Sequence, residues 1–191
     1  IKNDYRLITE IAFYFACSEL SYKMNAIEPE ISEKRVVSYT KARHPLLDKT
    51  KVVPINIEIG DNYDMLVITG PNTGGKTVTL KTIGLFSLMA QSGLQIPADS
   101  AKICIFDGIF PDIGDEQSIE QSLSTFSSHM VSIVNILENV TNKSLVLFDE
   151  LGAGTDPAEG AALATAIIEF CRKMGSRVVA TTHYAELKLY A

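Results

Sequence analysis

The chain reads as an α/β fold built on a mostly parallel sheet flanked by helices, with a small antiparallel edge. Three runs predict it: Met65-Leu66-Val67-Ile68-Thr69, Ser144-Leu145-Val146-Leu147-Phe148 and Arg177-Val178-Val179-Ala180-Thr181-Thr182. All are short, apolar and β-prone, as strands buried on both faces of a parallel sheet must be. Helical-period segments at 77–91 and 157–174 alternate with them, and strands alternating with helices give parallel βαβ units.

Taken in order, residues 1–25 read as a helix, with Leu7, Ile8, Ile11, Phe15 and Leu20 at helical intervals. Glu28-Pro29-Glu30 ends it, because proline and the residue before it resist helix. Residues 35–60 alternate polar and apolar, with strands expected at 35–39 and 52–59 around the turn-like Lys41-Ala42-Arg43-His44-Pro45-Leu46-Leu47. They form the antiparallel edge leading into the main sheet. Gly93 closes the helix at 77–91 as a C-terminal cap, and 102–106 is a further strand. The polar run 112–126 is a long connection, of a kind often functional. A helix at 127–141 follows, with Met130, Ile133, Val134 and Leu137 on its core face. Asp156-Pro157-Ala158-Glu159 is a helix start: Asp156 caps, Pro157 fits the first position, and Glu159 can reach back. Gly175 ends that helix.

The chemistry concentrates in two stretches. Gly70-Pro71-Asn72-Thr73-Gly74-Gly75-Lys76-Thr77 fits the phosphate-binding loop G-x-x-x-x-G-K-[ST], with a strand before it and a helix beginning Val78 after it, the context that distinguishes it from a Gly-rich turn with a chance lysine. Glycines let several N–H groups converge on one phosphate chain, and the helix adds its positive end. Lys76 supplies charge to the terminal phosphates, and Thr77 is the expected Mg²⁺ ligand. In the second stretch, Asp149-Glu150 ends a buried strand, where ligands bind in open α/β sheets. Asp149 would hold Mg²⁺ beside Thr77, and Glu150 would polarise the attacking water. His183, at the tip of the last strand, faces the same edge as a γ-phosphate sensor or water-orienting group. The fold is thus that of a P-loop NTPase. Spacing alone leaves the run around Ser124 open between a surface loop and a donor to a phosphate in a neighbouring subunit.

Composition bounds the rest. The 191 residues carry 46% hydrophobic residues and a formal net charge of −6. A chain so composed folds, but its acidic surface is a poor general partner for nucleic acid, which needs Lys and Arg. No apolar run has membrane-spanning length and no signal-peptide pattern opens the chain, so a cytoplasmic protein without a membrane partner is expected. Cys17, Cys104 and Cys171 lack C-x-x-C spacing and read as reduced core thiols. The chain opens on Ile1 and reads as a piece of a longer protein.

GPNTGGKT at 70–77, STF at Ser124-Thr125-Phe126, LVLFDELGAGTDP from Leu145 to Pro157 and ATTHY from Ala180 to Tyr184 resemble the ATPase domain of the MutS family. The resemblance covers almost the whole chain, including Arg43-His44-Pro45. Thr73 and the Gly152-Ala153-Gly154-Thr155-Asp156-Pro157 run are more similar to the second bacterial MutS branch, associated with suppression of recombination and with ribosome rescue, than to the mismatch-repair branch.

This resemblance implies an ABC-type ATPase domain at 28–191, with 1–27 as the end of a connector or lever helix. It implies ATP and Mg²⁺ as ligands, and a homodimer in which each protomer completes the other's site, Ser124 reaching the partner's γ-phosphate. The segment after Glu150 would lie at the seam, His183 would match the family's switch histidine, and the strand around Val53 and Ile55 would flank the adenine. DNA or ribosome engagement would belong to regions outside this chain, and no nuclease activity is expected of it. Ser122-Leu123 stand where the mismatch-repair branch has Gly-Arg, so a positive charge near the partner's phosphate is missing. The alternative is a nucleotide-gated dimerisation scaffold with negligible hydrolysis. A wider ABC transporter or repair ATPase is disfavoured by the missing L-S-G-G-Q sequence.

Overall fold

A computed structural model describes residues 2–70, 74–114, 122–184 and 187, those at 122–125 by backbone alone. Along the chain run α1 (Lys2–Met24), β1 (Glu30–Ser32), β2 (Val37–Ala42), β3 (Ile55–Ile59), β4 (Met65–Thr69), α2 (Lys76–Gln91), β5 (Ser100–Cys104) and β6 (Gly108–Asp112). Then come α3 (Ser122–Asn139), β7 (Ser144–Phe148), α4 (Pro157–Met174) and β8 (Arg177–Thr182).

The strands form two sheets. One is wholly parallel, in the order β4-β8-β7-β6. The other runs β1-β5-β2-β3, with β2 antiparallel to both neighbours and β1 parallel to β5. The continuous apolar runs behave as expected of strands covered on both faces. Leu145, Leu147 and Val179 point into one core with Leu80, Ile83 and Phe86 of α2. Val146, Phe148, Val178 and Ala180 point the other way, into a core with Ile133 and Ile136 of α3 and Ile167 and Ile168 of α4.

The antiparallel strands correct an expectation: they are not an edge of the parallel sheet. The strand expected at 102–106 forms at 100–104 and joins them. The reason is in their alternation. In β3, Ile57 and Ile59 are buried while Asn56 and Glu58 are exposed. Such a strand has one face to bury, and that face packs on the far side of α2: Val37, Tyr39, Ile57, Ile59 and Ile103 share its core. Helix α2 is therefore held between two sheets. Gly84 lets it approach β7, since a Cβ there would lie 2.6 Å from Leu147 Cδ1.

Helix boundaries follow their caps. α2 ends at Gln91 with Ser92 as its C-cap, and Gly93, φ 76°, closes the turn beyond it, with Gly93 N–H on the Ala90 carbonyl and Leu94 N–H on that of Met89. Asp156 caps α4 by accepting from the N–H groups of Ala158 and Glu159. α1 stops at Asn25, φ 51°, before the expected proline stop, and buries none of its residues. On α3, Val134 is exposed, against expectation; Ile133 and Ile136 carry the core face, with Met130 and Leu137 partly buried against it. Cys104 and Cys171 are buried free thiols with pKa values raised by burial, that of Cys171 to about 11, whereas Cys17 lies outside the core.

Candidate active site

The strand order decides what can meet. β4 leads into the glycine loop, β7 ends before Asp149, and β8 ends before His183. β8 lies between the other two, and all three run parallel. At the usual strand spacing the ends of β4 and β7 are about 10 Å apart, with His183 between them.

On the β4 side, Gly70 (φ 141°) and Gly75 (φ 74°) adopt conformations that a side chain would strain. Gly75 starts α2 without a side-chain cap, so no capping side chain competes for the first N–H groups of that helix. Lys76 is 4% exposed; its Nζ donates to the Gly70 carbonyl at 2.6 Å and stands 3.5 Å from His183 Nδ1. Thr77 is half-buried on the first turn, and Val78 is partly exposed beside it. Pro71, Asn72 and Thr73 lie outside the described residues, as does the side chain of Ser124.

On the β7 side, one hydroxyl ties the Asp149 carboxylate to the Glu150 backbone. Thr181 Oγ1 donates to Asp149 Oδ1 at 2.5 Å and accepts from the Glu150 N–H at 2.8 Å. Asp149 is 7% exposed, and Glu150 sits at φ 51°, unusual for a residue with a side chain. His183 Nε2 is 3.5 Å from Glu150 Oε1. An ammonium group can only donate, so His183 Nδ1 faces Lys76 as an acceptor and its Nε2–H faces Glu150. The turn after Glu150 is pinned from three sides. Leu151 N–H bonds the Thr181 carbonyl, Tyr184 Oη donates to the Gly152 carbonyl at 2.8 Å, and Gly160 lies directly beneath.

Next to the glycine loop is a cleft of about 350 Å³, walled by His44, Leu47, Val53, Ile55, Gly75 and Val78. The Leu46 N–H donates to His44 Nδ1 at 3.3 Å. Burial, then the nearby Lys81, lowers the His44 pKa. Val53 and Ile55, which the family resemblance implies would flank an adenine, border this cleft. A triphosphate with Mg²⁺ fits the donor set: an uncapped helix start, a buried ammonium, a hydroxyl on the first turn and a carboxylate across β8. Sequence reasoning missed Thr181, and also Asp112 and His129, which pair at 2.9 Å beside Asp149. Thr181 was legible only as part of an apolar strand, and Asp112 only as the start of a polar run.

A family model described as MutS domain V matches residues 66–191, and the chain belongs to the MutS family. Its similarity runs to proteins named Endonuclease MutS2. It is 62% identical over its whole length to one from Alkaliphilus oremlandii, and 58% identical over 99% of its length to one from Clostridioides difficile. With one from Brevibacillus brevis it shares 60% over 96% of its length. In each case the chain spans 24% of the relative's length. Among the described residues, no helix is long and apolar enough to cross a membrane.

Proposed function

We propose that the chain binds ATP with Mg²⁺ and hydrolyses it, as the ABC-type ATPase domain (residues 28–191) of a longer MutS-family protein, with residues 1–27 as the end of its connector helix. The reading rests chiefly on one observation. The Lys76 ammonium and the Glu150 carboxylate, from segments far apart in the chain, both reach the His183 ring.

ATP·Mg²⁺, when bound, supplies the electrophilic phosphorus and its neutralising charge. The chain's own residues do the remainder. The loop from Gly70 through Pro71, Asn72, Thr73, Gly74, Gly75 and Lys76 to Thr77, with Val78, wraps the phosphates, its non-proline residues offering backbone N–H groups, and Lys76 adds charge. Thr77 and Asp149 hold the ion. Glu150 takes the proton of the attacking water, and His183 keeps that carboxylate aimed between water and phosphate. Ser124, on the first turn of α3, serves a nucleotide on the partner of a homodimer. The cycle drives engagement of DNA or the ribosome, in the cytoplasm, by regions outside the chain.

Glu150→Gln tests the assignment. Turnover should fall by about 10²–10⁴-fold while nucleotide still binds and dimers accumulate. Unchanged turnover would remove Glu150 as the base. A dilution series tests the composite site: rate per protomer should rise with concentration. Nucleotide binding with no rate at any concentration would leave a nucleotide-gated scaffold instead.

A further inference from the structure

α3 meets the carboxylate edge at a polar contact that its apolar packing does not require. His129 Nδ1–H donates to Asp112 Oδ2 at 2.9 Å. Asp112 is 6% exposed and ends β6. Its backbone carbonyl accepts from the Asp149 N–H at 2.9 Å, one step beyond the β6–β7 register. The other edge of the imidazole is backed by Gly114, where a Cβ would lie 3.0 Å from both Cε1 and Nε2. Nearby, Phe126 packs beside Gly154, where a Cβ would lie 3.4 Å from the Phe126 Cβ. Between α3 and the turn after Glu150 remains a cavity of only about 30 Å³, bordered by His129, Asp112, Asp149 and Glu150.

The apolar contacts of Ile133 and Ile136 bind α3 to the sheet but tolerate a small slide along it. A hydrogen bond to a buried carboxylate does not, because breaking it strands a desolvated charge. Side chains and backbone thus make a continuous path from Lys76 through His183, Glu150, Thr181, Asp149 and Asp112 to His129.

We propose that His129 is a positioning residue. Through Asp112 it ties the first turn of α3, which begins at Ser122, to Asp149 and Glu150. Occupancy of the carboxylate edge and placement of the α3 start then change together. The inference rests on the function proposed above for those two carboxylates, but the tie itself needs nucleotide binding and not hydrolysis.

The test compares His129→Leu with His129→Asn in the full-length protein, since the Asn amide can stand in for Nδ1–H. Amide exchange over 122–130 is followed with and without a magnesium complex of a non-hydrolysable ATP analogue, beside ATP turnover. In wild type and His129→Asn, nucleotide should slow exchange by about tenfold, and in His129→Leu by less than about twofold. The Leu variant should lose about tenfold in kcat with KM within about twofold, and Asn should restore kcat to within about threefold. Equal protection in the Leu variant, an Asn variant as impaired as Leu, no nucleotide-dependent protection in wild type, or a rise in KM alone would each overturn the tie. Should wild type bind nucleotide without turnover, hydrolysis falls and the exchange result still decides the tie; no binding at all overturns both. If the Leu variant does not fold, Gly114→Ala crowds the same ring and should likewise uncouple exchange from nucleotide. Wild-type coupling in that variant would also sink the inference.

Discussion

The Thr181 hydroxyl serves two strand ends at once, and its removal separates the structural cost from the chemical one. Thr181→Val keeps the shape but leaves the Glu150 N–H and one lone pair of Asp149 without their partner in a fully buried place. The expected loss is about 1–3 kcal/mol in urea unfolding, with turnover falling too, and Thr181→Ser should recover most of both. His44 gives a prediction in pH. Its pKa is lowered in the fold, first by burial and then by Lys81, so the unfolded chain binds the proton more readily. The contribution of His44 is therefore fully present above its unfolded value, near 6.5, and is lost as pH falls through the lower folded value. Melting temperature should drop as pH falls below about 6.5, and His44→Gln should flatten that part of the profile. An unchanged slope would mean the imidazole is as free to ionise in the fold as in the unfolded chain. That Lys76, Asp149, Glu150 and His183 would meet was legible at this scale, because the proposed phosphate site calls for those residue types just past strand ends. Thr181 was not, since a threonine in an apolar strand carries no mark of what its hydroxyl will touch.

Two glycines on helices distinguish close approach to backbone from close approach to side chain. A Cβ on Gly160 would lie 2.4 Å from the Gly152 carbonyl oxygen and 2.3 Å from Tyr184 Oη, inside the turn that follows Glu150. A Cβ on Gly84 would meet only the end of the Leu147 side chain. Both sites gain helix propensity with alanine, by up to about 1 kcal/mol. At Gly84 rotation of Leu147 leaves a net change within about 1 kcal/mol, whereas at Gly160 the backbone must move and about 2–3 kcal/mol is lost. Comparing the two variants by urea unfolding checks the order; Gly84→Ala being the worse would refute it. Element type was readable wherever a run was apolar throughout or ended in a cap. β6 was not, because Gly108 and Pro111 interrupt it. It survives as a strand because, among the described residues, it is at the edge of the sheet beside β7, and a proline can turn its missing N–H outward there. Assignment of β5 to the second sheet was equally hidden, since pairing across sequence depends on which face of α2 remains uncovered.

At the scale of the molecule, the site exists because β8 brings together two segments that the sequence separates, and α1 stands apart from all of it. Its 23 residues span about 35 Å, and none is buried. Tyr5, Ile8, Tyr14 and Phe15 are each more than 60% exposed. The helical period was legible, but it could not say what the apolar residues face. The hydrogen bonds seen between this end of the chain and the sheets gather at the last turn of α1 and just past it. Ser21 bonds Gln95, Lys49 bonds the Lys23 carbonyl, and Arg43 bonds the Asn25 carbonyl at 3.1 Å while pairing with Asp99 at 2.9 Å. A chain lacking residues 1–20 keeps every one of these contacts. Its melting temperature should stay within about 3 °C of the intact chain, the shift expected for a change of no more than about 1 kcal/mol in a domain of this size. The same deletion removes the exposed apolar surface, so concentration-dependent association without nucleotide should fall, as sedimentation velocity would show. Nucleotide affinity should not change, because the cleft walls and the glycine loop lie wholly beyond residue 20. A large drop in melting temperature would mean that α1 supports the two-sheet core through more than its final turn.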